Sequence, residues 1–205
     1  MFAQRLFRRR VATSAVASLT ILASCSDNPA APIEGAGDPE NISRVTISLT
    51  PTGATGAASS SVIVDPDGTQ LPKPAGTATG TLTLAKGATY NGSMSLKNDL
   101  DPNNVIDISA EVKKEANFHR FFYTLTCGGT AVASSAVNFT NLDVDTQSPP
   151  QPVGLTFQVI VSSTATASTN CNLHVELHHF ETAKGDGTGT TFDTDLSVDF
   201  PVIIQ

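Results

Sequence analysis

His119, His174, His178 and His179 are the histidines of this chain, and Cys25, Cys127 and Cys171 its cysteines. Cys127 ends a run in which Leu125, Tyr123, Phe121 and His119 stand at every second position. Cys171 opens another in which Leu173, Val175, Leu177 and His179 do the same. Side chains of a strand alternate between its two faces, so each run puts one sulfur and one imidazole on a common side. If the cysteines are joined and the strands run antiparallel, residue 125 pairs with 173, 123 with 175, 121 with 177, and 119 with 179. The two imidazoles then meet about 26 Å from the sulfurs, at ~3.3 Å per residue. Parallel strands would drive them apart. Two free buried thiols are the alternative to the bridge.

Two imidazoles converging at the rim of an apolar core could hold a transition metal or haem, because neutral imidazole ligates both. Glu111, Glu115 and Glu181 are the candidates for a third ligand. The competing reading is that each histidine caps a strand end and bonds to backbone or solvent. His174, Glu176 and His178 fall on the opposite face of the same strand and read as a solvated face. Asp65-Pro66-Asp67-Gly68, Asp99-Leu100-Asp101 and Asp143-Val144-Asp145 resemble fragments of calcium loops. None has the ligand spacing of an EF-hand, and Asp-Pro-Asp-Gly is first of all a turn. The chain has no Gly-rich phosphate loop, His-Glu-x-x-His or Gly-x-Ser-x-Gly, so an enzyme is not expected.

The elements that must carry these groups are strands. Period-two alternation recurs from Ser43 onward: Val45, Ile47 and Leu49; Ser60 to Val64; Leu82 and Leu84. The last of these leads through Lys86-Gly87 to Tyr90, Gly92, Met94 and Leu96, spaced as a hairpin. Phe118–Cys127, Ala131–Thr140, Val153–Ser163, Asn170–Phe180 and Asp195–Gln205 follow, with Leu196, Val198, Phe200, Val202 and Ile204 on one side of the last. About nine strands joined by turn chemistry predict an all-β, antiparallel β-sandwich of the immunoglobulin-like or Greek-key type. Ile106 to Glu115 alternates like a strand, yet Ile108, Val112 and Ala116 also stand at helical spacing. Asp107 could cap a helix there, and one short helix is the reading adopted.

The amino terminus gives an address. Arg5, Arg8, Arg9 and Arg10 precede a largely apolar stretch from Val11 to Ala23, too short as a helix for a ~30 Å hydrocarbon core. Leu22-Ala23-Ser24-Cys25 then fits a bacterial lipobox, in which the Cys is diacylated and becomes the mature terminus. Residues 1–24 are thus read as a lipoprotein signal peptide, 25–42 as lipidated Cys25 and a Pro-, Gly- and acid-rich tether, and 43–205 as one domain. Ser26, a residue other than Asp, favours sorting to the outer membrane, on its periplasmic or cell-surface side. Export to an oxidising compartment is also what makes a Cys127–Cys171 disulfide expected. With the arginines of the leader removed, eight Lys and Arg remain against nineteen Asp and Glu, a net charge of −11. Such a surface repels phosphate backbones, so nucleic acid is not an expected partner.

Thr89-Tyr90-Asn91-Gly92-Ser93, the run from Asp107-Ile108 through Glu111, Glu115, His119, Phe122 and Tyr123, and the closing Phe200-Pro201-Val202-Ile203-Ile204-Gln205 occur in that order. With the lipobox they resemble uncharacterised small lipoproteins, common in Bacteroidota, labelled type 1 periplasmic binding fold superfamily. Asn117-Phe118 stands where that family tends to be acidic. The resemblance implies a partner, a TonB-dependent outer-membrane receptor, and a role in uptake. It does not set the fold. A type 1 periplasmic binding protein needs two doubly wound α/β lobes with crossover helices, and this chain has neither the length nor the helices.

Overall fold

The computed structural model describes residues 41–68, 72–74, 76–189 and 191–205. The leader, Cys25 and nearly all of the tether lie outside these residues. Eleven strands and one helix are found among the described residues: β1 Arg44–Pro51, β2 Ser59–Val64, β3 Leu82–Leu84, β4 Thr89–Asn98, β5 Ile106–Asp107, α1 Ile108–Lys114, β6 His119–Cys127, β7 Thr130–Ala131, β8 Val137–Asn141, β9 Thr156–Val161, β10 Ser168–Phe180 and β11 Phe192–Ile204. One sheet runs β2-β1-β4-β9-β8 with β5 added to β4, and the other runs β3-β11-β10-β6-β7. Their inner faces bury Val45, Ile47, Leu96, Phe157 and Val159 from the first sheet and Leu173, Val175, Leu177, Leu196 and Phe200 from the second. The all-β sandwich follows from that alternation: each strand has one apolar side, and two such sheets cover one another. Ile42, placed by the sequence at the end of the tether, is fully buried in this core, so the folded body begins before Ser43.

Two local expectations change. Leu82-Leu84 and Tyr90-Leu96 do not form a hairpin. β3 pairs in parallel with β11, whereas β4 lies in the other sheet between β1 and β9. Lys86-Gly87 therefore crosses between sheets, with its amides donating to Gln205 O at 2.8 Å and Val161 O at 3.0 Å. Alternating apolar residues look alike whether a chain turns back beside itself or crosses to face itself, because both leave one side buried. The predicted strand Ala131–Thr140 splits into β7 and β8 around a turn closed by Ala136 N–H to Ala133 O. The helix occupies Ile108–Lys114, buries Ile108 and Val112, and starts at Asp107 without a side-chain capping bond.

Gly92 faces Phe157 across β4 and β9, and the phenyl ring covers the place where a β-carbon would stand. Phe157 is fully buried, so the ring has no solvent to swing into. Gly92→Ala is expected to lower stability by about 1–3 kcal/mol through overpacking, measured as a shift in the urea midpoint at constant slope.

The second sheet carries the predicted register. Cys127 pairs with Cys171, Leu125 with Leu173, Tyr123 with Val175, Phe121 with Leu177 and His119 with His179. The Cys127–Cys171 disulfide is formed across a sequence separation of 44. Closing a loop of that length stabilises by roughly 3–4 kcal/mol on the chain-entropy estimate.

Candidate metal centre

β6 and β10 bring the imidazoles of His119 and His179 to 4.4 Å between centroids, with the ring planes tilted by 36°. Both are buried, His119 completely. His119 begins β6 directly after the turn that follows α1, and that turn orients its ring. Glu115 is the C-cap of α1, and its carbonyl oxygen accepts the Phe118 amide at 2.8 Å and contacts His119 Nδ1 at 3.2 Å. A carbonyl can only accept, so Nδ1 carries a proton here, and Nε2 is the ring nitrogen left to face another group. The Glu115 carboxylate joins the pair: one ligand atom each from Glu115, His119 and His179 lie within 4.8 Å of one another. Of the three acidic candidates, Glu111 and Glu181 are exposed and stand outside this group, while Glu115 is part of it.

A fourth group was not apparent in the sequence. The carboxylate oxygen Oδ2 of Asp195 lies 3.4 Å from His119 Nε2 and 3.9 Å from His179 Nδ1. Strict alternation would turn Asp195 to the outer face, opposite Leu196 and Val198. The pairing of β10 with β11 slips there: Leu177 pairs with Leu196, but His178 pairs with Thr194. Asp195 is the extra residue of a β-bulge, and Asp195 and Leu196 are both buried in succession. A bulge re-aims a side chain in this way. A buried polar atom left without a partner is costly and rare. Here Glu115 Oε2, His119 Nε2 and Asp195 Oδ2 are all buried without a hydrogen-bond partner among the described residues. Burial, and then the neighbouring His119, hold the His179 imidazole below its ordinary range despite the nearby carboxylates, a direction that favours the neutral ring a metal takes as ligand.

The remaining candidates are engaged otherwise. On the outer face of β10, His174 contacts Asp199 at 3.0 Å and Glu176 at 3.4 Å, and Glu176 reaches His178 at 3.4 Å. His174 and Glu176 are partly open, as expected of a solvated face. His178 is more covered, stacked 3.9 Å from Phe192 and tilted against Phe122 at 4.6 Å. Two of the three calcium-like fragments serve the fold. Asp99 takes Ser43 Oγ–H at 2.6 Å and Arg44 Nε–H at 2.5 Å, and Asp143 accepts the amides of Gly154, Leu155 and Thr156. Asp145 accepts the Lys184 ammonium at 2.6 Å, both side chains being inaccessible to solvent, and Lys184 Nζ also donates to Ala116 O beside Glu115. Both carboxylate oxygens of Asp65 are buried without a hydrogen-bond partner among the described residues.

Set against protein-family models, curated proteins and solved structures, the chain matches none of them.

Proposed function

We propose that this chain is a lipid-anchored β-sandwich of the outer membrane that binds a divalent metal ion, as a ligand-binding or accessory module for a neighbouring receptor. The observation that carries the metal part is the convergence of Glu115, His119 and His179, with His119 Nε2 and Glu115 Oε2 buried without a hydrogen-bond partner among the described residues. A bare ion satisfies those atoms at once. Haem fits less well: rings 4.4 Å apart leave no slot between them for a macrocycle, and His119 is closed to solvent. The lipobox around Cys25 and the sorting residue Ser26 support the anchor. The resemblance to small Bacteroidota lipoproteins supports a TonB-dependent receptor as the partner.

One experiment tests the whole reading. Cells expressing the chain are labelled with palmitate and fractionated, and metal in the outer-membrane fraction is measured by mass spectrometry. The label is expected to depend on Cys25, and the zinc increment on His119 and His179 together. No label, or a zinc increment that survives His119→Ala/His179→Ala, would overturn the corresponding half.

A second reading, a structural or adhesive surface lipoprotein with no small-molecule ligand, draws on apolar side chains left in the open. Leu142 and Val144, just beyond the edge strand β8, are 51% and 57% exposed. A stable protein partner captured equally by the wild type and the double histidine variant would favour it.

A further inference from the structure

We infer that Asp195, delivered by the β11 bulge, is the fourth ligand of a closed tetrahedral site for zinc-class divalent ions. The inference rests on the metal-binding reading and assigns it a complete donor set: imidazoles of His119 and His179, carboxylates of Glu115 and Asp195.

The distances carry it. Ligand atoms at roughly 2.0–2.1 Å from a tetrahedral zinc stand about 3.4 Å from one another. His119 Nε2 and Asp195 Oδ2 are 3.4 Å apart, the edge of such a tetrahedron, and neither makes a hydrogen bond among the described residues. The same oxygen is 3.9 Å from His179 Nδ1, so one carboxylate atom looks toward both rings. His119 Nδ1 is held by Glu115 O, which leaves Nε2 as the ring nitrogen that faces Asp195. The donors also select the ion. Two nitrogens and two carboxylate oxygens with no thiolate suit a borderline divalent ion more than copper(I), which prefers sulfur, or calcium, which prefers oxygens alone. Two carboxylate ligands would cancel the charge of a divalent ion, which is what a buried ion needs. The bulge explains why the chain breaks the alternation of β11 at a charged residue: without it, Asp195 would point to solvent and Leu196 would carry the core alone.

Cobalt(II), which shares zinc's geometry and absorbs light, tests this on the full chain purified in detergent. Asp195→Asn, near in shape, is expected to bind cobalt and zinc more than about 100-fold more weakly than wild type, beyond the usual cost of losing an outer-shell partner. Asp195→Cys is expected to restore binding and to add a thiolate-to-cobalt charge-transfer band, which arises only if the side chain at 195 touches the ion. Wild-type binding with the Asn variant unchanged and no band in the Cys variant would remove Asp195 from the site and leave the metal reading standing. No cobalt or zinc uptake by the wild type would overturn both.

Discussion

His119→Ala is expected to weaken zinc binding by more than about 100-fold, because on the proposed reading it removes a ligand and not merely a residue that orients one. Glu115→Gln should fall in the same class, since its Oε2 is one of the unpartnered buried atoms. Glu111→Ala and Glu181→Ala, at exposed positions, should leave affinity within about threefold, inside the range of ordinary surface effects. His174→Ala, on the outer face with Asp199 and Glu176, should behave like those two. Competition against a chromophoric chelator measures all five. A uniform loss across the set would show that zinc binds the acidic surface at large, and no loss at His119 would take the ion away from the core.

Lys184→Met is expected to lower stability by about 3–5 kcal/mol, the usual penalty for leaving a buried charge without its partner. The ammonium meets Asp145 at 2.6 Å with neither side chain reached by solvent, and it also donates to Ala116 O. Burial alone would raise the Asp145 carboxyl, but hydrogen bonds from Lys184, Gln151 and Gln147 outweigh it and hold the group down at about 2. Burial pulls the Lys184 ammonium down in turn, against the attraction of Asp145. The pair is therefore held in place by its hydrogen bonds, and its net worth is smaller than the cost of breaking it. Lys184→Met/Asp145→Asn should for this reason recover much of the loss, since Asn still accepts the Gln147 and Gln151 amides.

The pH dependence has a definite sign. A carboxyl lowered from 3.8 to about 2 contributes about 2 kcal/mol that is fully present above pH ~4 and lost as the pH falls toward 2. Urea titrations at pH 6 and pH 3 should show that slope in the wild type and a flatter one in the double variant. An equal slope in both would assign the acid sensitivity to other carboxylates.

What could be read from residues alone depended on whether a period survived along the chain. Cys127 and Cys171 fixed one pair of opposite residues. Since a strand's period is two, that pair set every other down to His119 and His179. Nothing interrupts β6 and β10 over that span, so the prediction carried through. Asp195 escaped because one inserted residue reverses the faces beyond it, and Thr-Asp-Leu carries no local sign of a bulge. Glu115 could not be chosen over Glu111 by spacing, since both stand one helical turn apart. The choice was made by where α1 ends, leaving Glu115 as its C-cap with a carbonyl beside His119. The Lys184–Asp145 pair joins two connecting segments, where no periodicity exists to read. The crossing of β3 to β11 was hidden for the opposite reason: the alternation was intact but compatible with two topologies.

These gaps share a cause with the site itself. Three of its four side chains sit where regular structure stops: Glu115 at a helix end, His119 at a strand start, Asp195 at a bulge. Regular strands fill the core with apolar side chains, and polar ligands enter it where the pattern breaks. The disulfide lies at the other end of the same ladder, and the ion would tie β6, β10, β11 and the end of α1 together where no covalent link does.

The most direct measurement is an anomalous-scattering map from crystals of the protein soaked in zinc. The account predicts a single buried peak roughly 2.0–2.2 Å from His119 Nε2, a ring nitrogen of His179, Glu115 Oε2 and Asp195 Oδ2. A peak on His174 and Glu176 with none between His119 and His179, or no protein-bound peak at all, would contradict it.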